Sequence, residues 1–154
     1  MIKCILFDFD GVLTIDKTGS TSITNYISRK TNISLDEKMF NYIKELKNTY
    51  YIGLVTDNKE DRIEAILDHK NYKRYFDIVA ISAKVHSGKD DCRIFQYVLD
   101  DMNVAAEECV FIDNTAKNLI VPAEMGMRTL LFDDENRDFE GFVQRLNAEL
   151  LEKR

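Results

Sequence analysis

The chain has one proline, three cysteines and two histidines among 154 residues, and no apolar run long enough to span a membrane. Cys4, Cys92 and Cys109 are an odd number without metal-type spacing. Two of them fall in segments that read as buried strands, so a small-hydrophobe role and a reducing compartment fit them best. His86 reads as a loop residue, and His69 has no neighbour that suggests a role. The N-terminal apolar run is too short for the core of a signal peptide and is broken by Asp8, so the expected location is cytoplasmic. No run of basic residues stands out, and the net charge of −6 argues against a surface for nucleic-acid phosphates. Repeats, low-complexity tracts and interdomain linkers are likewise missing. Residues 1–154 therefore read as one domain.

A hydrophobic fraction of 45% beside 31% charged residues is ordinary globular composition. Five apolar segments recur, each halting at a polar residue: Lys3–Phe7 before Asp8, Tyr51–Val55 before Thr56, Ile78–Ile81 before Ser82, Cys109–Ile112 before Asp113, and Arg128–Phe132 before Asp133. Such runs read as strands buried on both faces. Helical stripes separate them. Ser34-Leu35-Asp36-Glu37 has the form of a capping box ahead of Met39, Ile43 and Leu46. Lys59–Lys70, Asp90–Met102 and Asp138–Leu151 repeat the apolar stripe, and Pro122 begins or kinks a short helix ending near Gly126. Alternating strands and helices predict a three-layer α/β domain: a five-stranded parallel sheet with helices on both faces. Only Thr14–Asn32 resists this pattern.

Asp8-Phe9-Asp10-Gly11 closes the first strand with two carboxylates. Residues i and i+2 of a strand share a side, so both can face one small site. Two close anions need a cation or a shared proton, and a divalent metal is the simplest solution. Parallel topology gathers the C-terminal ends of all strands on one edge, where open α/β sheets bind ligands. That edge collects Asp8 and Asp10, Thr56-Asp57-Asn58, Lys89, and Asp113-Asn114. Carboxylates, a hydroxyl, an ammonium and an amide together suit phosphoryl transfer.

Four segments in order resemble the motifs of the haloacid dehalogenase-like hydrolase superfamily. They are Asp8-Phe9-Asp10-Gly11-Val12-Leu13-Thr14, Leu54-Val55-Thr56-Asp57-Asn58, Lys89-Asp90-Asp91-Cys92-Arg93-Ile94-Phe95, and Phe111-Ile112-Asp113-Asn114-Thr115-Ala116-Lys117-Asn118. The resemblance implies sheet order 5-4-1-2-3 and a Mg2+-dependent phosphatase. Asp8 is then the nucleophile that forms an aspartyl-phosphate. Asp10 is the general acid and base, and lends its backbone carbonyl to the metal. Thr56 and the amides after it (Asp57, Asn58) hold phosphate oxygens, Lys89 offsets charge on Asp8 and the phosphoryl group, and Asp113 and Asn114 complete the Mg2+ shell. A carboxylate at position 10 looks like phosphate chemistry rather than dehalogenation.

Asn114 stands where many relatives have a second aspartate, and Asp90 where a proline often follows the lysine. Asp90 is expected to cap the next helix. Asn118 is read either as orienting Lys89 or as a turn residue. Residues 11–33 leave room for a flap and a short helix, so 14–33 are expected to form a residual cap and not a full cap domain. Water must then be excluded by a neighbouring subunit of a homo-oligomer or by a bulky substrate such as a phosphoprotein or a nucleic-acid end, the acidic charge disfavouring the last; a small phosphorylated metabolite is the favoured substrate. The alternatives are a catalytically weak binding protein of the same fold and a phosphoacceptor signalling domain.

Overall fold

The computed structural model describes residues 1–15 and 34–151; most of the expected flap at 14–33 lies outside them. In chain order the elements are β1 (Cys4–Phe7), α1 (Glu37–Leu46), β2 (Tyr51–Thr56), α2 (Glu60–Asp68), β3 (Ile78–Ile81), α3 (Ser82–Val85), α4 (Cys92–Met102), β4 (Cys109–Asp113), α5 (Ile120–Met125), β5 (Arg128–Leu131) and α6 (Phe139–Leu151). All strand pairs are parallel, in the order β3-β2-β1-β4-β5. This is the expected 5-4-1-2-3 sheet seen from its other edge.

Alternate residues of each strand feed two separate cores, as a strand's period of two requires. Ile5, Phe7, Ile52, Leu54, Val110 and Ile112 meet the apolar sides of α1, α2 and α6 on one face. Cys4, Leu6, Val55, Ala80, Cys109 and Phe111 meet Ile94, Phe95, Val98 and Leu99 of α4 on the other. Cys4 and Cys109 are free and fully buried, as the small-hydrophobe reading expects, whereas Cys92 is exposed at the start of α4. At Gly53, in β2, an added Cβ would sit 2.6 Å from a Leu6 methyl and 2.9 Å from one of Ile78. Glycine lets β2 fit between its neighbours there.

Two helix starts differ from expectation. The N-cap of α1 is Asp36 and not Ser34: its carboxylate accepts from the amides of Lys38 and Met39. Ser34 and Leu35 are instead used by a short antiparallel contact, with Thr14 bridging Leu35 and the Ile15 amide donating to the Ser34 carbonyl at 2.8 Å. The α4 cap is Asp91, which accepts from the Arg93 amide, and not Asp90. Pro122 sits in the first turn of α5, where its missing N–H costs nothing, and the helix ends at Gly126 with φ of 105°.

Arg137 closes the region around β1. Its guanidinium donates to the carbonyls of Gly11 (2.7 Å) and Val12 (2.9 Å) and to the Asp36 carboxylate (2.7 Å). The stem of the segment that leaves the sheet edge is thereby tied to α1 and to the loop after β5.

Candidate active site

Asp8 follows β1 directly, and its amide donates to the Ile112 carbonyl of β4 at 2.9 Å, so the carboxylate is fixed between the two central strands. Asp113 ends β4 and is completely buried. Lys89 comes in from the loop before α4, with its side chain only 2% exposed. Its ammonium donates to Asp8 Oδ1 and, at 2.8 Å, to Asp113 Oδ2. The ring of Phe111 lies 5.6 Å beneath the same nitrogen. Burying an ammonium is costly unless it is paired, and here two carboxylates flank it. Burial opposes the charged form of Lys89, but Asp8 and Asp113 outweigh it and its pKa rises. Burial pushes the Asp8 carboxyl up to about 7 against the pull of Lys89, and Asp113 adds to the rise.

The remaining expected residues stand around this triad. Asp57 accepts the Lys89 amide at 3.0 Å, so its carboxylate positions the lysine loop and is exposed at the edge. Asn118 donates to the Asp113 oxygen that Lys89 also uses, at 3.3 Å. It thus orients the partner of Lys89 and not the lysine itself. Thr56 is buried and its hydroxyl accepts from the Asn58 amide group at 3.0 Å, leaving the O–H as a donor. The backbone N–H of Asn58 donates to Ser82 Oγ at 2.9 Å and so is already engaged within the fold. Asn114 donates to Asp134 at 3.0 Å across the mouth of the site.

The Asp10 side chain is engaged by two partners on and beside α2. Arg62 grips it in a two-pronged contact, Nη1 to Oδ2 and Nη2 to Oδ1, both at 2.9 Å. Asn58 adds a third donor at 2.8 Å. Arg62 and Asp134 were not among the residues expected from the sequence. Arg62 carries a signal in hindsight: it lies four residues after Asn58 in the first turn of a helix that leaves the sheet edge, and helical side chains lean back toward the N-terminus. Asp134 carries another, since it follows the end of β5 on the same edge.

Among the described residues no group of three or more His, Cys, Asp or Glu side chains is arranged to hold a metal ion by itself. The fit to Mg2+ rests on charge and donor type. Asp8 and Asp113 are two buried carboxylates sharing one ammonium, so the centre has a negative excess. Its donors are all hard oxygens, and Mg2+ binds through one or two carboxylates while keeping several waters. Gly11 lets the chain pass close to the Asn114 side chain. Its φ is 89°, and a Cβ there would fall 2.2 Å from the Asn114 side-chain nitrogen.

The chain resembles known proteins in sequence and in fold. Residues 21–132 match the family model described as haloacid dehalogenase-like hydrolase. A predicted HAD-like family hydrolase from Porphyromonas gingivalis superposes with a TM-score of 0.77 at 18% identity, over 99% of this chain and 100% of that one. A HAD family enzyme from Bacteroides thetaiotaomicron, solved with magnesium and inorganic phosphate, gives 0.73 at 16% identity, over 92% and 100%. A curated relative, drimenol cyclase drtB of Aspergillus calidoustus, is 28% identical over 70% of this chain, which spans only 21% of that protein's length. No helix among the described residues is long and apolar enough to cross a membrane.

Proposed function

This chain belongs to the haloacid dehalogenase-like hydrolase family, and from that premise we propose that it is a Mg2+-dependent phosphatase acting through an aspartyl-phosphate. The observation that carries the reading is the buried Lys89 ammonium held between Asp8 and Asp113 at the ends of the two central strands. A buried cation between two strand-end carboxylates is a poor device for stability and a good one for receiving a phosphoryl group.

Asp8 attacks phosphorus, forming an acyl phosphate as the bond to the leaving oxygen breaks. Asp10 delivers a proton to that oxygen. Water then attacks the acyl phosphate, Asp10 takes its proton, and inorganic phosphate departs as the Asp8 carboxylate is restored. The Thr56 hydroxyl and the Asp57 amide donate to phosphoryl oxygens, while Lys89 offsets their charge from below. Asp8, Asp113, the Asp10 backbone carbonyl and Asn114 would hold Mg2+. The bound ion supplies positive charge that lets an anionic nucleophile approach an anionic phosphate.

The substrate is a small phosphorylated metabolite, in keeping with a chain of net charge −6 that does not favour nucleic acid. A second copy of the chain completes the enclosure of the site. Hydrolysis of 4-nitrophenyl phosphate in the presence of Mg2+ tests the activity. The expected result is turnover that EDTA abolishes and that falls at least 1,000-fold, on the order expected for loss of a nucleophile, in Asp8→Asn. Turnover unchanged in that variant would refute the mechanism.

A further inference from the structure

The phosphatase reading assigns Asp10 to the leaving oxygen, yet among the described residues every hydrogen bond given to that carboxylate comes from Arg62 and Asn58. The two side chains differ in depth. Asp8, Lys89 and Asp113 are 8%, 2% and 0% exposed, whereas Asp10 is 50% exposed. A phosphoryl group seated on the deep triad therefore places its leaving group at the level of Asp10 and Arg62. The Arg62 side chain is itself only 11% exposed. It donates on one side to the Asn58 side-chain oxygen Oδ1 at 2.8 Å and lies 5.9 Å over the ring of buried Phe9. Its Nε is buried without a partner among the described residues. This is a fixed fork at the outer rim of the site.

When Asp10 turns toward the leaving oxygen, the fork loses its carboxylate, and an arginine so confined cannot follow into water. A guanidinium fork matches a carboxylate in plane and in spacing. Asp10 in its observed position thus marks where a carboxylate is accepted. We propose that Arg62 is the specificity residue of this site and that it reads a carboxylate on the leaving group, so the preferred substrates are phosphate monoesters of small hydroxy acids. The proposal rests on the phosphatase reading for the seat of the phosphoryl group. In it, the substrate carboxylate replaces Asp10 on Arg62 and frees Asp10 for the leaving oxygen, so recognition and proton transfer are linked through one exchange of partners.

Binding of non-hydrolysable phosphonates tests this apart from catalysis. With Mg2+ present, calorimetry compares 3-phosphonopropionate and 2-phosphonoacetate with propylphosphonate and ethylphosphonate, in the wild type, Arg62→Lys and Arg62→Gln. The expected result is that at least one carboxylated ligand binds wild type tenfold or more tightly than its alkyl counterpart. That ratio should fall to near one in Arg62→Gln, with Arg62→Lys in between. A ratio near one in the wild type overturns the proposal. So does a ratio that survives in Arg62→Gln, or an equal weakening of all ligands, which is what a merely structural arginine would give. Turnover of 4-nitrophenyl phosphate by the same wild-type preparation reports on the phosphatase reading alone.

Discussion

At the scale of single residues, the site depends on atoms that are missing as much as on those present. Gly11 is the clearest case. It turns the chain away from Asp10 with φ of 89°, a region where a side chain costs about 1–3 kcal/mol. The Cβ of an alanine there would also overlap the Asn114 amide, 2.2 Å away. Asn114 must then shift, and with it the contact to Asp134. Gly11→Ala is therefore expected to weaken Mg2+ binding at least tenfold while lowering the unfolding free energy by only about 1–3 kcal/mol. Calorimetry with Mg2+ and urea unfolding measure the two quantities separately. Unchanged Mg2+ affinity would mean that Asn114 lies outside the metal's reach.

At the scale of elements, strand ends were easy to read and helix starts were not. An apolar run halting at Asp8, Thr56 or Asp113 can end in only one way in a parallel sheet, so the convergence of these three followed from pattern, whereas the role of Lys89, which ends no strand, came from the family resemblance. Helix starts compete with local alternatives. Ser34 has the sequence of a capping residue, but its backbone is taken by Ile15, and Asp36 two residues on makes the cap. Arg62 stayed hidden because an arginine in a first helical turn is ordinarily solvated; its role appears only once Asp10 and Asn58 are brought beside it. Asp36 also serves a second element through Arg137. Both groups are largely buried, at 15% and 12% exposure, so the pair is worth more than an exposed one. Asp36→Asn keeps an N-cap and loses the charge; Asp36→Ala loses both. The alanine variant is expected to be less stable than the asparagine variant by about 1 kcal/mol, the ordinary value of a cap. Urea unfolding of the two proteins would show it, and equal stability would remove Asp36 as the cap.

At the scale of the whole molecule, two buried carboxylates around one ammonium make the stability of the fold depend on pH. The raised Asp8 carboxyl holds a proton in the folded chain up to about pH 7, whereas in the unfolded chain it releases it near its ordinary value of 3.8. Across that window the folded state binds more protons, so the unfolding free energy falls as pH rises. Asp91, Glu108 and Asp133 act in the opposite sense, because hydrogen bonds from Arg93, Lys3 and Asn136 hold their carboxyls below the ordinary range. Their contribution is complete by about pH 5. Lys89 is raised from 10.5 and stays charged throughout. Between pH 5 and 7.5 the slope from Asp8 should therefore stand out. Thermal melts of the protein in EDTA are expected to give a lower Tm at pH 7.5 than at pH 5, and the difference should shrink in Asp8→Asn. Adding Mg2+ at pH 7.5 should raise Tm, since a ligand that binds only the folded state stabilises it by mass action. A Tm that rises with pH in EDTA, and a Mg2+ effect no larger in wild type than in Asp8→Asn, would mean that the negative excess around Lys89 is already balanced and that the centre was not built for a cation.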